Sequence, residues 1–266
     1  MIALRRNRAP AAALALFLSF ASGLRPGFGQ EPESAKPWKP VLGLEYHSRT
    51  IAWDEKARSS TLGSAFLTAG VERRLVRGWS VTVFVGASLS NWNGLVFRTL
   101  PFSVEYQAGF GPGFLAGATT EATLARLGSW DIGFAARFLA SLGASRSLDL
   151  AGLNETGTVE VRGTWLRLEA GPVLIYRGLP AFSPYVKLGV DRLWGRCLMD
   201  EKIRDLSGSE EKSVSGKGWV SARGGFHWEL GPSWGWSFEA SVLPFKKTSG
   251  GLGLDLGAAL RAMVSL

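Results

Sequence analysis

Apolar and polar residues alternate along most of the chain after residue 40. The C-terminal segment "GLGLDLGAALRAMVSL" shows this most clearly, because every even position is apolar and most odd positions are glycine or polar. A period of two residues places side chains alternately on the two faces of a strand. The same pattern predicts ten strands, at residues 41–53, 62–75, 79–91, 102–126, 129–142, 157–176, 181–194, 218–230, 234–244 and 251–266.

The connections between these segments alternate between short and long. Short turns rich in glycine and proline are expected at 76–78, 127–129, 177–180 and 231–233. Longer, mostly polar connections are expected at 54–61, 91–100, 143–157, 195–218 and 245–250. This alternation is typical of barrels in bacterial outer membranes, which have tight periplasmic turns and longer external loops.

The two faces of the predicted strands differ in charge. One face carries apolar side chains such as Val83, Phe134 and Phe238, whereas the other carries ionisable groups and many glycines. The ionisable groups comprise nine acids, seven lysines and arginines and two histidines, so they predict paired charges in a narrow lumen rather than a pore of one sign. This predicted lumen set is Glu45, His47, Arg49, Glu72, Arg74, Glu121, Asp131, Arg137, Arg167, Glu169, Lys187, Asp191, Arg223, His227, Glu229, Glu239, Asp255 and Arg261.

Aromatic residues lie beside the four short turns, mostly on the apolar face. Rings with one polar edge favour the headgroup level of a membrane. The predicted interface residues are Trp79, Trp130, Tyr176, Phe182, Trp228, Trp234 and Trp236.

The N-terminus has the features of an export signal. Three arginines precede the short apolar run at 11–24, and small residues offer cleavage sites near 23–29. We therefore expect a signal peptide at 1–29, a periplasmic segment at 30–40 and a barrel at 41–266. Removing the four arginines of the signal lowers the net charge from +8 to +4, which gives no reason to expect a nucleic-acid partner.

Together these features resemble the small outer-membrane β-barrel proteins of Gram-negative bacteria, over essentially the whole mature chain. That family usually ends on an aromatic residue, and Leu266 departs from this. The resemblance implies an all-β, ten-stranded antiparallel up-and-down transmembrane barrel in the bacterial outer membrane. It also implies contact with outer-membrane lipids and lipopolysaccharide, insertion by the barrel-insertion machinery, and a monomer.

Two structural alternatives remain open at this point. The barrel has eight strands if 102–112 and 157–164 lie outside the membrane. The chain is instead a soluble barrel or sandwich if the apolar face points inward. Of nine lysines only Lys187 lies inside a predicted strand, which disfavours a solvated polar face.

Catalytic and cofactor sites receive little support from the sequence. Omptin-type proteases pair an aspartate with a histidine near the outer rim, whereas His227 lies close to a short turn and His47 has no aspartate in its own strand. Ser48 adjoins His47, but neighbouring strand residues point to opposite faces, so a lipid-acting His–Ser pair is not expected from this spacing. The glycine-rich segment 109–117 lacks the lysine and helix of a phosphate-binding loop. No catalytic residue, cofactor or metal site is predicted.

The longest predicted connection, 195–218, contains a charged segment and the single cysteine. Its charged part, 200–218, predicts a mobile external loop, or alternatively a surface that binds ions, lipopolysaccharide or another cell. Cys197 is expected to be a free thiol in this loop. The function expected overall is a structural or surface-interaction barrel whose lumen is largely closed by paired charges. A small pore or transporter for hydrophilic solutes and a lipid-modifying enzyme are the alternatives.

Overall fold

The computed structural model describes residues 38–53, 60–76, 78–101, 104–106, 109–149, 157–231, 234–247 and 249–264. The predicted signal peptide and most of the predicted periplasmic segment lie outside these residues. Within the described ranges the regular structure is all β. None of the described residues belongs to a helix long and apolar enough to cross a membrane.

Fourteen strands are present in the described part of the chain. They are β1 (Lys39–Ala52), β2 (Ser60–Val76), β3 (Trp79–Asn93), β4 (Val96–Phe97), β5 (Val104–Glu105), β6 (Gly111–Leu127), β7 (Trp130–Gly143), β8 (Arg146–Asp149), β9 (Gly157–Tyr176), β10 (Phe182–Ile203), β11 (Leu206–Gly216), β12 (Val220–Glu229), β13 (Trp234–Lys246) and β14 (Leu252–Val264).

Ten of these strands are arranged up and down in one antiparallel sheet. In chain order they are β1, β2, β3, β6, β7, β9, β10, β12, β13 and β14, and each pairs with the next. β14 also pairs with β1, with Leu260 opposite Leu44. Each of the ten therefore has a hydrogen-bonded neighbour on both edges.

The alternation predicted from the sequence separates an exposed apolar face from a buried polar face. Val83 is 47% exposed and Phe238 is 40% exposed, whereas Arg137 and Glu239 are buried. A water-soluble protein would show the reverse, since burial of apolar surface drives its folding. The soluble alternative therefore does not hold, because the apolar side chains point away from the interior.

The predicted strand at 102–126 is wrong in its first third. β6 begins at Gly111, and the preceding residues form a two-residue ladder in which Val96 pairs with Glu105 and Phe97 with Val104. We call the residues described between 94 and 110 the cap. Backbone hydrogen bonds between Gly94, Leu95 and Tyr106 close its base.

The prediction of a mobile loop at 200–218 is also wrong. β10 continues to Ile203, and β11 returns along it after a turn in which Arg204 has a φ of +51°. The prediction failed because mixed charge was taken as the sign of a loop, although a strand with a polar outward face and an inward face that mixes Glu210 and Lys212 with Val214 has the same composition. Cys197 consequently lies in β10, where it is fully buried, and not in a loop.

The buried face is apolar at the end of the long connections. β11 reaches β1 there, with Gly216 opposite Ile51. A cluster of buried apolar residues fills this end: Ile51, Trp53, Leu62, Phe66, Trp92, Leu95, Val96, Phe97, Leu100, Tyr106, Leu115, Leu139, Val159, Val161, Trp165, Leu193, Cys197, Met199 and Val214. We call this set the apolar layer.

Candidate functional site

The most concentrated chemistry of the described residues is a network of buried ion pairs next to the apolar layer. Its centre is Asp191 on β10, which is completely buried. Arg49 of β1 donates to its Oδ1, and Arg167 Nη2 of β9 lies 2.7 Å from its Oδ2. Arg223 Nη2 of β12 lies 3.5 Å from the same Oδ2. One carboxylate thus joins cations from three strands.

The network extends from Arg49 to β14. Arg49 Nε lies 3.5 Å from Asp255 Oδ2. The backbone N–H of Thr50 donates to Asp255 at 2.9 Å, and the Thr50 hydroxyl donates to it at 2.8 Å. The Asp255 carboxylate is therefore held against β1 by both a charge and two hydrogen bonds.

A second branch runs toward the short-turn end. Glu169 Oε1 lies 2.7 Å from Arg167 Nη2 and also contacts Arg223. Arg223 Nη1 lies 3.0 Å from Glu239 Oε1. Tyr185 donates its hydroxyl to Glu239 Oε2 at 3.0 Å.

Lys187 extends this second branch across the interior, from Glu239 to Glu121. Lys187 Nζ lies 2.8 Å from Glu121 Oε1 and 3.4 Å from Glu239 Oε2. A separate group lies beside it, in which Arg137 Nη1 is 2.7 Å from Glu45 Oε2 and Arg261 Nη2 is 3.9 Å from the same oxygen.

Positive and negative charges balance in these groups, in which Glu121, Lys187 and Arg261 are half-buried and the others are buried. The carboxylates are Asp191, Asp255, Glu45, Glu121, Glu169 and Glu239, and the cations are Arg49, Arg137, Arg167, Lys187, Arg223 and Arg261. We call these twelve residues the charge network. Buried charges are tolerated when they are paired and hydrogen-bonded. The arrangement therefore fills the interior without leaving a net charge of one sign.

One cavity lies among residues of the charge network in the described part of the chain. This cavity of about 40 Å³ is lined by charged residues and by small wall residues such as Gly171, Gly189 and Ser221. Such a cavity holds a few water molecules at most. It gives no room for an organic solute.

His47 lies where the charge network meets the apolar layer. Its ring makes edge-on contacts with Trp165 and Phe66, at centroid distances of 5.2 and 5.8 Å. Neither ring nitrogen has a hydrogen-bond partner among the described residues. His47 is therefore not coupled to a serine or carboxylate in the way that a hydrolase requires.

Tryptophans and small residues build the apolar layer at this level. Trp165 donates its indole N–H to Ser90 at 3.1 Å, and Ser90 is 2.9 Å from the Ser64 hydroxyl. A Cβ on Gly163 would lie 2.1 Å from the Trp92 indole nitrogen. Glycine at 163 is thus needed to admit this ring.

The cap contributes part of the apolar layer and contacts the β10–β11 ribbon. Leu95 and Phe97 are fully buried in it. The backbone N–H of Thr99 donates to Glu210 Oε2 at 2.8 Å, and Lys212 Nζ lies 2.7 Å from Glu210 Oε1. Burial opposes ionisation of Glu210, but the hydrogen bonds from Lys212 and Thr99 outweigh it and lower the pKa of this carboxyl.

Most of the predicted lumen set faces the interior. Besides the charge network, His47 and Asp131 are buried, whereas Glu72 and His227 are half-buried. His227 stacks on Tyr185 with ring centroids 4.8 Å apart. Arg74 and Glu229 are exposed at strand ends, so the structure does not bring them to the network.

Asp131 forms a separate group at the short-turn end. Its carboxylate lies 2.6 Å from Arg126 Nε and 3.3 Å from Arg177 Nε. Arg126 lies at the end of β6, beside the β6–β7 turn, and Arg177 begins the β9–β10 turn. The group therefore ties two short turns together instead of joining the charge network.

The predicted interface aromatics lie at the short-turn end. Trp130, Trp228 and Trp234 are exposed. Trp79, Tyr176, Phe182 and Trp236 are half-buried. The rings of Trp130 and Tyr176 are 4.8 Å apart.

The apolar layer and the cap are the parts of the site that sequence reasoning missed. A signal was present, because the polar face becomes apolar toward the long connections, as at Ile51, Leu62 and Leu115. No cluster of three or more histidine, cysteine, aspartate or glutamate side chains in the described ranges has the geometry of a metal site.

No family model matches the sequence, and no curated protein matches it with significance. Solved structures that resemble the chain are outer-membrane β-barrels. The translocator domain of the autotransporter NalP from Neisseria meningitidis has 13% identity and a TM-score of 0.47, and the alignment covers 100% of both chains. The outer-membrane protease OmpT from Escherichia coli has 8% identity and a TM-score of 0.46, with 90% of this chain and 97% of that chain covered. Ail, the attachment invasion locus protein of Yersinia pestis, has 10% identity and a TM-score of 0.33, with 86% and 98% covered.

Proposed function

We propose that the chain is a closed ten-stranded barrel of the bacterial outer membrane, with a sealed lumen and a structural or surface-interaction role. Closure is supported by the strand pairings, since the ten long strands each have a neighbour on both edges and β14 returns to β1. In hydrocarbon an unpaired strand edge costs several kcal/mol per backbone group, roughly, so a spanning sheet must close.

The exposed apolar face supports the location. Its side chains, such as Val83, Leu188 and Phe238, stand on the surface, whereas the residues of the charge network are buried or half-buried. This matches the outward apolar band and polar interior of outer-membrane barrels. In this proposal the short turns face the periplasm, the cap and the β10–β11 ribbon face the outside, and residues 1–29 are a signal peptide that precedes a periplasmic segment at 30–40.

The observation that carries the sealed lumen is the stacking of the apolar layer on the charge network. A hydrated ion would have to separate pairs such as Arg49–Asp191 and then cross Trp165 and the cap. Both steps are unfavourable, because breaking a buried ion pair leaves an uncompensated charge and an apolar layer offers no polar ligands to the ion. The pore alternative therefore has less support.

Conductance in planar bilayers tests this proposal. The full-length chain would first be checked for folding by its change in gel migration on heating. The folded protein would then be reconstituted, with a barrel of known conductance as the positive control. We expect no steady unit current from the folded chain. Steady, reproducible current steps from the heat-modifiable species would contradict the sealed lumen and favour the pore.

The proposal assigns no catalytic role. We expect no catalytic role; among the described residues, neither ring nitrogen of His47 has a hydrogen-bond partner. Incubation with labelled lipid A or phospholipid tests it, with H47A and H227A as variants. Release of a fatty acid that depends on either histidine would favour the enzyme alternative.

A further inference from the structure

The charges of the charge network balance as a whole, but they do not balance around its cavity. The charged residues that line this cavity are four cations and two carboxylates, namely Arg137, Lys187, Arg223, Arg261, Glu169 and Glu239. Uncompensated charge is costly in a buried site. The lining therefore favours an added negative charge.

Both carboxylates of the lining are already held by cations. Glu169 contacts Arg167 and Arg223. Glu239 Oε1 lies 3.0 Å from Arg223 Nη1, and Glu239 Oε2 lies 3.4 Å from Lys187 Nζ. In the described part of the chain, neither carboxylate forms an ion pair with the other two cations of the lining.

These other two cations, Arg137 and Arg261, share a single carboxylate. Arg137 Nη1 lies 2.7 Å from Glu45 Oε2, and Arg261 Nη2 lies 3.9 Å from the same oxygen. Within the described ranges neither arginine forms a further ion pair. Two guanidinium groups on one carboxylate leave a local excess of one positive charge beside the cavity.

The same two guanidinium groups have N–H donors that lack acceptors. Arg137 is 6% exposed, and its Nε has no hydrogen-bond partner among the described residues. The 3.9 Å from Arg261 to Glu45 is longer than a hydrogen bond, so this carboxylate does not satisfy the Arg261 N–H groups. Guanidinium nitrogens donate and never accept. Whatever occupies the cavity must therefore accept hydrogen bonds.

Two hydroxyl groups add donors to the lining. Thr119 on β6 lies opposite Arg137 in the strand register, and Ser221 on β12 lies opposite Gly189. Both line the cavity. A hydroxyl rotates to donate to whichever acceptor is present. Four groups from four strands can thus direct N–H or O–H bonds into one space.

We infer that this cavity binds one small monovalent inorganic anion, with chloride as the probe, between Arg137 and Arg261. About 40 Å³ is enough for a monatomic ion and too little for an organic one. Water would accept hydrogen bonds from the donors but would not neutralise the excess positive charge. Arg261 is only half-buried, which leaves the ion a route from water.

The dependence of stability on chloride tests this site. The refolded full chain in detergent would be unfolded with urea while sodium chloride replaces sodium gluconate at constant ionic strength. Gluconate is an anion of the same charge that is too large for the cavity. An anion that binds only the folded chain raises the urea midpoint by mass action, whatever its exchange rate.

Three variants locate the effect. R261Q removes one guanidinium and leaves the Arg137–Glu45 ion pair intact. T119V removes one donor of the lining and no charge. The matched control is R196Q, because Arg196 is an exposed arginine in an exposed pair with Glu211 at 3.6 Å.

We expect the midpoints of the wild type and R196Q to rise with the logarithm of the chloride concentration. R261Q should need at least about tenfold more chloride for the same rise, because a hydrogen bond to a charged group is lost together with the charge. T119V should lie between them. Bromide, which is only slightly larger, should act as chloride does.

Several outcomes would overturn the inference. Equal wild-type midpoints in chloride and gluconate would mean that the cavity holds water only. Equal responses of R261Q and R196Q, or of T119V and the wild type, would place the ion elsewhere. Heat-modifiable migration shows that each variant folds, and T119V keeps every charged group if R261Q does not fold.

This inference goes beyond the proposed function. It requires the packing of the charge network, and neither the membrane location nor the sealed lumen enters it. Unit current in planar bilayers would refute the sealed lumen and leave the anion site standing, so the two failures are distinguishable.

Discussion

Arg49 and Asp191 are 142 residues apart in the chain, yet their side chains form an ion pair that is almost entirely buried. The pair joins β1 to β10, which are not neighbours in the sheet. It therefore spans the interior rather than one wall. Arg167 and Arg223 contact the same carboxylate.

Neutralising this carboxylate should destabilise the fold strongly. D191N would leave Arg49, Arg167 and Arg223 without their shared partner in a buried site. Loss of one partner of a buried pair costs about 3–5 kcal/mol. Urea titration of the chain refolded into lipid vesicles measures this as a decrease in the free energy of unfolding.

The control is E211Q, which removes the partner of Arg196 in an exposed pair. Exposed pairs contribute at most about 1 kcal/mol, so this variant should unfold near the wild-type midpoint. If D191N and E211Q unfold at the same urea concentration, the charge network does not stabilise the barrel as argued.

Truncation of Phe97 should release the cap. This ring is fully buried in the apolar layer, and Phe→Ala in a core costs about 3–5 kcal/mol. Because the cap is a local unit, the loss should appear as faster tryptic cleavage at the exposed Arg98, measured over time on gels.

L206A is the control for this experiment. Leu206 belongs to the β10–β11 ribbon but is 58% exposed, so its removal should not change the cleavage rate. F97A should still give no current, since the charge network remains. Unchanged cleavage of F97A would show that the ring does not anchor the cap.

Cys197 should be unreactive in the folded chain. Burial raises the pKa of this thiol to about 12, so almost no thiolate exists at pH 8. We expect less than about one hundredth of the alkylation rate of a free cysteine by iodoacetamide, and full reaction in denaturant. Mass spectrometry gives both rates.

A cysteine on the outward face of β11 provides the comparison. S213C/C197A places a thiol at an exposed position opposite Arg196. It should react at the rate of a free cysteine. Rapid alkylation of native Cys197 would mean that the apolar layer opens frequently.

Glu210 should make the docking of the cap dependent on pH. Its pKa is lowered in the folded chain, so its contribution is complete above the unfolded value of about 4.3 and is lost as the pH falls through the folded value. Wild type and E210Q should differ in the free energy of unfolding by roughly 1 kcal/mol. This difference, measured by urea titration, should be constant from pH 7 to 5 and shrink below pH 4. A difference that grows on acidification would contradict the sign of this shift.

The strands with one exposed apolar face and one inward polar face were predictable from the sequence. β9 was predicted at 157–176 and occupies Gly157–Tyr176, because its outward leucines alternate with inward charged residues. The same alternation located Arg167, Glu169 and Asp191 on the inward face. In such a strand one face must be apolar and the other polar, so the alternation in the sequence is strong.

β11 and the cap were not predictable in the same way. The inward Glu210 and Lys212 of β11 and its outward serines are all polar, so no apolar period marks the strand. The cap has apolar residues, such as Leu95 and Phe97, in a connection without a period. Which residues pair across the interior, as Arg49 and Asp191 do, depends on how distant strands come together and not on any local pattern.

The origin of the charges around Asp191 has a kinetic consequence. They come from β1, β9, β10, β12 and β14, so their neutralisation requires the first and last of these strands to be in place together. A partly assembled sheet would hold uncompensated charges in a lipid environment, and such intermediates are high in free energy. Contacts of such long sequence separation also form slowly. If the chain inserts into a membrane as proposed, it should therefore do so as one cooperative event, with little accumulation of half-formed sheets.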